Sequence, residues 1–125
     1  MPNKLEKFAE FDTFKNCTYL PFEKIKERHP LSGKWHADFF KNETPIVLEL
    51  GCGKGEYTVG LAKNNPNKNY IGVDIKGNRI WAGAKFATEN NMHNVAFVRT
   101  RIDFIEYCFT ENEIDEIWIT FPEPQ

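Results

Sequence analysis

The run Glu49-Leu50-Gly51-Cys52-Gly53-Lys54-Gly55-Glu56 sets three glycines at alternate positions between two carboxylates. Glycine tolerates positive φ and lets a bound molecule come close to the backbone, so such a turn is a candidate ligand cradle. Phosphate ligands do not suit it. The dinucleotide fingerprint wants its third small residue where Glu56 stands, and the G-x-x-x-x-G-K-[ST] spacing is missing. Carboxylates at 49 and 56 would also repel a pyrophosphate, whereas they would attract a cation. A third acid, Asp74, follows 23 residues after Gly51, at the spacing from which one carboxylate accepts both hydroxyls of a ribose. Without a ligand, the same residues would make a plain tight turn and, at Asp74, a helix N-cap.

Other chemistry-bearing residues are less telling. Cys17, Cys52 and Cys108 are odd in number and not spaced with histidines as metal ligands are. They read as three free thiols in a reducing, cytoplasmic compartment, with no metal site and no disulfide framework. Lys24, Lys26, Arg28 and His29 form a small basic cluster, read as a solvated face, with RNA contact as the sharper alternative.

The acids and glycines must be positioned by regular elements, and the pattern supplies them. Residues 45–51 are a short apolar run ending in glycine, the mark of a buried parallel strand. A helix is expected over 56–65 with Tyr57, Leu61 and Ala62 inward, then a strand over 70–74. A second helix over 77–91 puts Ile80, Ala84 and Ala87 on one face. A strand at 95–98, a helical face carrying Phe104, Ile105, Cys108 and Phe109, and a strand over 116–121 complete the alternation. The first 45 residues, broken by Pro21, Pro30 and Pro45, read as irregular apart from a short amphipathic helix near 34–41 carrying Trp35, Phe39 and Phe40. The division expected is an N-terminal extension over 1–43 and a ligand-binding domain over 44–125. Alternating strands and helices with right-handed crossovers give an α/β, doubly wound, mostly parallel Rossmann-like sheet whose crevice lies at the strands' carboxyl ends. The glycine turn, Asp74, Arg101 and Pro122-Glu123-Pro124 all fall at those ends.

A cofactor that is cationic and carries a ribose fits this set. S-adenosylmethionine has an ammonium and a sulfonium, so Glu49 could meet its methionine end while Asp74 takes the ribose. At this point the residues resemble a family. Residues 46–55, 70–75 and 94–98, and above all Ile117-Trp118-Ile119-Thr120-Phe121-Pro122-Glu123-Pro124-Gln125, are similar to the bacterial tRNA (guanine-N7)-methyltransferases. Those are class I S-adenosylmethionine enzymes that methylate a guanine in the tRNA variable loop. The resemblance covers roughly residues 34–125. It implies a cofactor surface built from Glu49, Gly51, Cys52, Gly53, Gly55, Asp74, Ile75, Arg101 and Ile102, with Glu123 in the place of the family's functional Asp. Where this chain has Arg101 the family commonly has Asp, and arginine cannot accept a hydrogen bond from the adenine amino group. Backbone near Ile102, a substituting Asp103, or Arg101 stacked on the ring are the ways adenine could then be read. The resemblance also implies tRNA as partner. A small-molecule methyltransferase, a non-catalytic cofactor- or RNA-binding module and, at a distance, a nicotinamide dehydrogenase are the competing readings.

Composition limits the rest. At 125 residues with 41% hydrophobic and 27% charged side chains, the chain has the makings of one globular domain. No apolar run approaches the ~20 residues of a membrane span, and the N-terminus shows no signal-peptide stretch. Residues 1–101 hold all 16 basic residues and 11 of the 18 acids, a net of +5, while the last 24 residues are acidic yet rich in apolar side chains. The methyltransferase fold resembled has seven strands, of which four are legible. The expectation is therefore an N-terminal portion of a longer protein, truncated after about four strands and inactive alone. It would leave an apolar edge at Ile117–Phe121 open to self-association.

Overall fold

Strand β2 (Ile46–Leu50) is buried along its whole length because it has neighbours on both edges and helical layers on both faces. The computed structural model containing it describes residues 2–119. The other strands are β1 (Cys17–Tyr19), β3 (Asn69–Asp74), β4 (Val95–Arg99) and β5 (Glu116–Ile119). They form one sheet of order β1-β4-β3-β2-β5, and every pairing is parallel. From β2 the chain steps outward through β3 to β4, then returns to lay β5 on the far side of β2. That reversal makes the carboxyl ends of β2 and β5 the topological switch point.

Helices α1 (Lys4–Phe11), α2 (Glu56–Asn64) and α3 (Gly77–Glu89) cover one face. Their core contains Phe11, Val59, Ala62, Ile80, Ala84 and Ala87 over Val47, Tyr70, Val95 and Phe97. The other face carries shorter coils: 3-10 turns at Phe22–Glu27 and Ile102–Tyr107, and a π-type helix at Trp35–Phe40. There Leu20, Trp35, Phe40, Cys108 and Phe109 pack on Ile46, Leu48, Leu50, Ile71, Val73 and Val98. Alternation along β2 and β3 divides the side chains between these two cores.

Three features depart from the expected elements. Cys17–Tyr19 is a strand, paired with Phe97–Arg99 of β4, and the preceding α1 lies against α3. Three residues are too few to show alternation, so only the long-range pairing reveals them. Tyr57 does not point inward: it is 67% exposed, and Thr58, Val59 and Ala62 are the buried residues of α2. Its phase is set by Gly55, where an added Cβ would lie 2.8 Å from Phe97 and whose backbone nearly touches Gly83 of α3. His29 does not belong to a solvated basic face. It is buried, with Nδ1 accepting from the Leu31 N–H at 3.0 Å and Nε2 2.7 Å from Thr18 Oγ1. Its neighbour Arg28 donates to the carbonyls of Glu106 and Phe109.

The segment before β2 is tied to the sheet by polar groups. Glu113, 6% exposed, accepts the backbone N–H groups of Gly33, Trp35 and Thr110 at 2.9–3.1 Å. Trp35, fully buried, donates its indole N–H to the Cys108 carbonyl at 3.0 Å. Asp115 accepts from the Ile46 N–H and donates its own N–H back to the Ile46 carbonyl, fixing where β2 begins beside β5.

Candidate functional site

The three glycines of the turn after β2 all take positive φ: 73° at Gly51, 56° at Gly53 and 79° at Gly55. Their surroundings differ. At Gly55 an added Cβ would collide with Phe97, so that glycine serves helix–sheet packing. At Gly53 an added Cβ meets nothing within 4 Å, so this glycine opens the backbone to whatever approaches. The N–H groups of Gly51 and Cys52 both donate to the Val73 carbonyl, at 2.8 and 3.0 Å, holding the turn against the end of β3. The Cys52 side chain points into the sheet, packed where Gly72 leaves space, so only its backbone is offered at the turn. Burial, followed by the nearby Asp74 and Glu49 carboxylates, pushes its thiol well above the ordinary range. It is an unreactive packing group.

Glu49 sits on β2 at the switch point, beside Trp118 of β5 in the strand register, and is 5% exposed. The Thr58 hydroxyl, reaching down from the first turn of α2, donates to Glu49 Oε1 at 2.5 Å. Together they line a cavity of about 390 Å³ whose other walls are apolar and aromatic, including Tyr57, Leu61 and Trp118. A carboxylate in such surroundings offers a partner to a cationic group.

Asp74, 8% exposed at the end of β3, spans two backbone segments. Oδ2 accepts from the Gly53 N–H and Oδ1 from the Lys76 N–H, each at 3.0 Å. It is not the N-cap of α3, a position held by Lys76, but it orders the backbone that enters that helix. The Thr100 N–H donates to the Asp74 carbonyl at 3.1 Å, which brings the loop after β4 alongside. On that loop Arg101 is exposed and paired with Asp103 through two contacts of 3.1 Å, its guanidinium 5.4 Å from the Phe104 ring centroid. Ile75 and Ile102 expose apolar side chains, at 44% and 45%. The structure thus brings Glu49, Gly51, Gly53, Gly55, Asp74, Ile75, Arg101 and Ile102 to the carboxyl ends of adjacent strands. Glu123 lies outside the described residues.

Sequence reasoning missed Thr58 and Trp118 as site residues. The one signal for Thr58 is its place with Val59 and Ala62 on the inward face of α2, which an inward Tyr57 obscures. Among the described residues no group of three His, Cys, Asp or Glu side chains is placed to hold a metal ion. No helix among them is long and apolar enough to cross a membrane.

A tRNA (guanine-N(7)-)-methyltransferase of Christiangramia forsetii is 58% identical over 124 residues, covering 98% of this chain and 55% of the relative. The chain spans about half the length of the curated relatives it matches. Among solved structures, one described as an antibiotic related methyltransferase superposes with a TM-score of 0.61 at 24% identity, over 77% of this chain and 49% of its own. PKMT2 from Rickettsia typhi in complex with AdoHcy superposes with a TM-score of 0.52 at 23% identity, over 80% of this chain and 20% of its own. These likenesses show a class I methyltransferase fold. Residues 43–125 match the profile of the family described as "Putative methyltransferase". With that match running from the start of β2 through the candidate site, the chain belongs to this methyltransferase family.

Proposed function

We propose that this chain forms the S-adenosylmethionine-binding portion of an enzyme that methylates N7 of a guanine in tRNA. The observation that carries the reading is the placement of two buried carboxylates, Glu49 and Asp74, on either side of a turn whose Gly53 backbone is open. S-adenosylmethionine, when bound, supplies an electrophilic methyl group. Glu49 would meet the ammonium of its methionine end. Asp74 would accept the ribose hydroxyls: a carboxylate has about four acceptor positions, and the Gly53 and Lys76 N–H groups account for two. Ile75 and Ile102 offer apolar surface to adenine. Because Arg101 and Asp103 engage each other, backbone near Ile102 is favoured over either side chain for reading the adenine amino group.

The tRNA substrate is proposed from the name of the close relative. Guanine N7 already presents a lone pair, so no strong base is needed there, and the protein's task is to hold nitrogen and methyl carbon in line at about 3–3.5 Å. Glu123, by its resemblance to the family's functional Asp, would accept from the guanine N–H edge and offset the charge the base acquires. Self-association through β5 belongs to the same proposal, since Ile117, Trp118 and Ile119 are 52–60% exposed on the sheet's edge.

Calorimetric titration with S-adenosylhomocysteine tests the cofactor claim, with binding expected for the wild type and weakened in Asp74→Ala. A wild-type chain that does not bind removes it. Methyl transfer to tRNA by a protein carrying this sequence, abolished by Glu123→Ala, tests the substrate claim.

A further inference from the structure

We infer that Thr58 is a positioning residue for the cofactor's amino-acid end, acting through Glu49. The inference rests on the cofactor reading above and extends it to a residue that never touches the ligand. Glu49 projects from a strand into a cavity whose other lining groups are mainly apolar, and a glutamate there has three side-chain torsions to settle. Thr58, a residue only 1% exposed, donates its hydroxyl to Oε1 and holds that oxygen of the carboxylate in place. A hydroxyl donating to a carboxylate oxygen makes one of the stronger protein hydrogen bonds.

The position of Thr58 is itself determined from two sides. The Gly55 approach to Gly83 and Phe97 sets the phase of α2, which turns residue 58 toward the sheet. Beneath it, Gly72 of β3 leaves a gap: an added Cβ there would lie 2.9 Å from Thr58 Oγ1 and 2.9 Å from Cys52 Sγ. Gly72 therefore reserves the space from which the hydroxyl reaches Glu49. An aliphatic residue at 58 would satisfy the packing of α2 equally well, so the hydroxyl has a use that packing does not explain.

Two ligands separate positioning from mere stability. S-adenosylhomocysteine carries the amino-acid end, and 5′-methylthioadenosine is the same nucleoside without it. In the isosteric Thr58→Val variant the Glu49 carboxylate is no longer pre-positioned for the ligand, and affinity for S-adenosylhomocysteine should fall about tenfold. Affinity for 5′-methylthioadenosine should stay within about twofold, a difference that corresponds to less than half a kcal/mol. Thr58→Ser, which keeps the donor, should bind both ligands like the wild type. Thr58→Ala supplies the same comparison if the valine variant does not fold. Equal losses for both ligands, or no loss for either, would overturn the inference. A wild type that binds neither ligand would overturn the cofactor reading instead, and one that binds both equally would show that Glu49 does not engage the amino-acid end.

Discussion

Asp74 and Gly53 are joined by a hydrogen bond of 3.0 Å from the glycine N–H to Oδ2, while the other oxygen of the same carboxylate holds the Lys76 N–H. One side chain thus orders the turn after β2 and the entry to α3 before any ligand arrives. Its replacement should therefore act on stability as well as on binding. Asp74→Ala leaves two backbone donors without this acceptor and should cost about 1–3 kcal/mol in urea denaturation. Asp74→Asn keeps one acceptor oxygen and should cost less. Both should weaken S-adenosylhomocysteine by calorimetry, alanine more than asparagine. Lost binding at unchanged stability would mean that the carboxylate serves the ligand alone.

The glycines of the turn should divide by function. Gly55→Ala combines positive φ with a Cβ 2.8 Å from Phe97, so unfolding measurements should show a loss of about 2–4 kcal/mol. Gly53→Ala meets no neighbour and should cost only the backbone term, about 1 kcal/mol. Its methyl would nevertheless stand where a ligand approaches, so binding should suffer more from the milder substitution. If Gly53→Ala binds as the wild type does, the open face of the turn is not the ligand's.

How far the sequence discloses this arrangement depends on the range of the interaction. Ile46–Leu50 and Asn69–Asp74 are legible because burial on both faces demands continuous apolar runs, and Ile80, Ala84 and Ala87 because a helix repeats every 3.6 residues. Glu49, Gly51, Gly53, Gly55 and Asp74 stand out because glycine turns and strand-end acids keep a fixed spacing. Thr58 does not, because its inward position follows from contact between Gly55 and Gly83, which lie far apart in sequence. The strand at Cys17–Tyr19 is hidden for the same reason, its register being set by Phe97–Arg99. His29 looks like one of several basic residues until the fold buries it between Thr18 and Leu31.

That burial has a pH signature. Desolvation lowers the His29 pKa from 6.5 to about 4, against a smaller opposing influence of the Glu113 carboxylate. The folded state thus holds the ring neutral, with Nδ1 accepting from Leu31 and Nε2 as the donor to Thr18. Between the two values the unfolded chain binds more protons, so stability rises with pH there. The contribution is complete above about pH 6.5, declines as pH falls, and is gone below about pH 4, a total on the order of 3 kcal/mol. Urea midpoints measured from pH 7 down to 4 should fall more steeply for the wild type than for His29→Gln. Parallel curves would show that His29 titrates normally.

Glu113 joins the loop before β5 to the segment at Gly33–Trp35, taking one backbone N–H at Oε2 and two at Oε1. In Glu113→Gln one of those oxygens becomes a donor facing a donor. The substitution should cost about 2–3 kcal/mol, seen as a lower urea midpoint with an unchanged slope. Because these contacts lie away from Asp74 and the glycine turn, the folded variant should still bind S-adenosylhomocysteine. Retained stability would mean that the Glu113 hydrogen bonds contribute little to holding this segment.

The last expectation concerns the edge of the sheet. β5 pairs with β2 on one side, and among the described residues nothing pairs with its other side. An edge with three large apolar side chains and one acid has little to discourage a second strand. Sedimentation of the chain should therefore show an average mass that rises with concentration. Ile117→Lys should suppress the rise, since a charge on an edge strand opposes strand addition. Ile117 lies beside Leu48, on the face of the sheet opposite Glu49 and Thr58, so the variant should bind S-adenosylhomocysteine as the wild type does. A wild type that stays monomeric across the range would show that this edge does not recruit a second strand. Association that survives the lysine would move the contact to the cavity beside Trp118, where ligand binding and self-association would then compete.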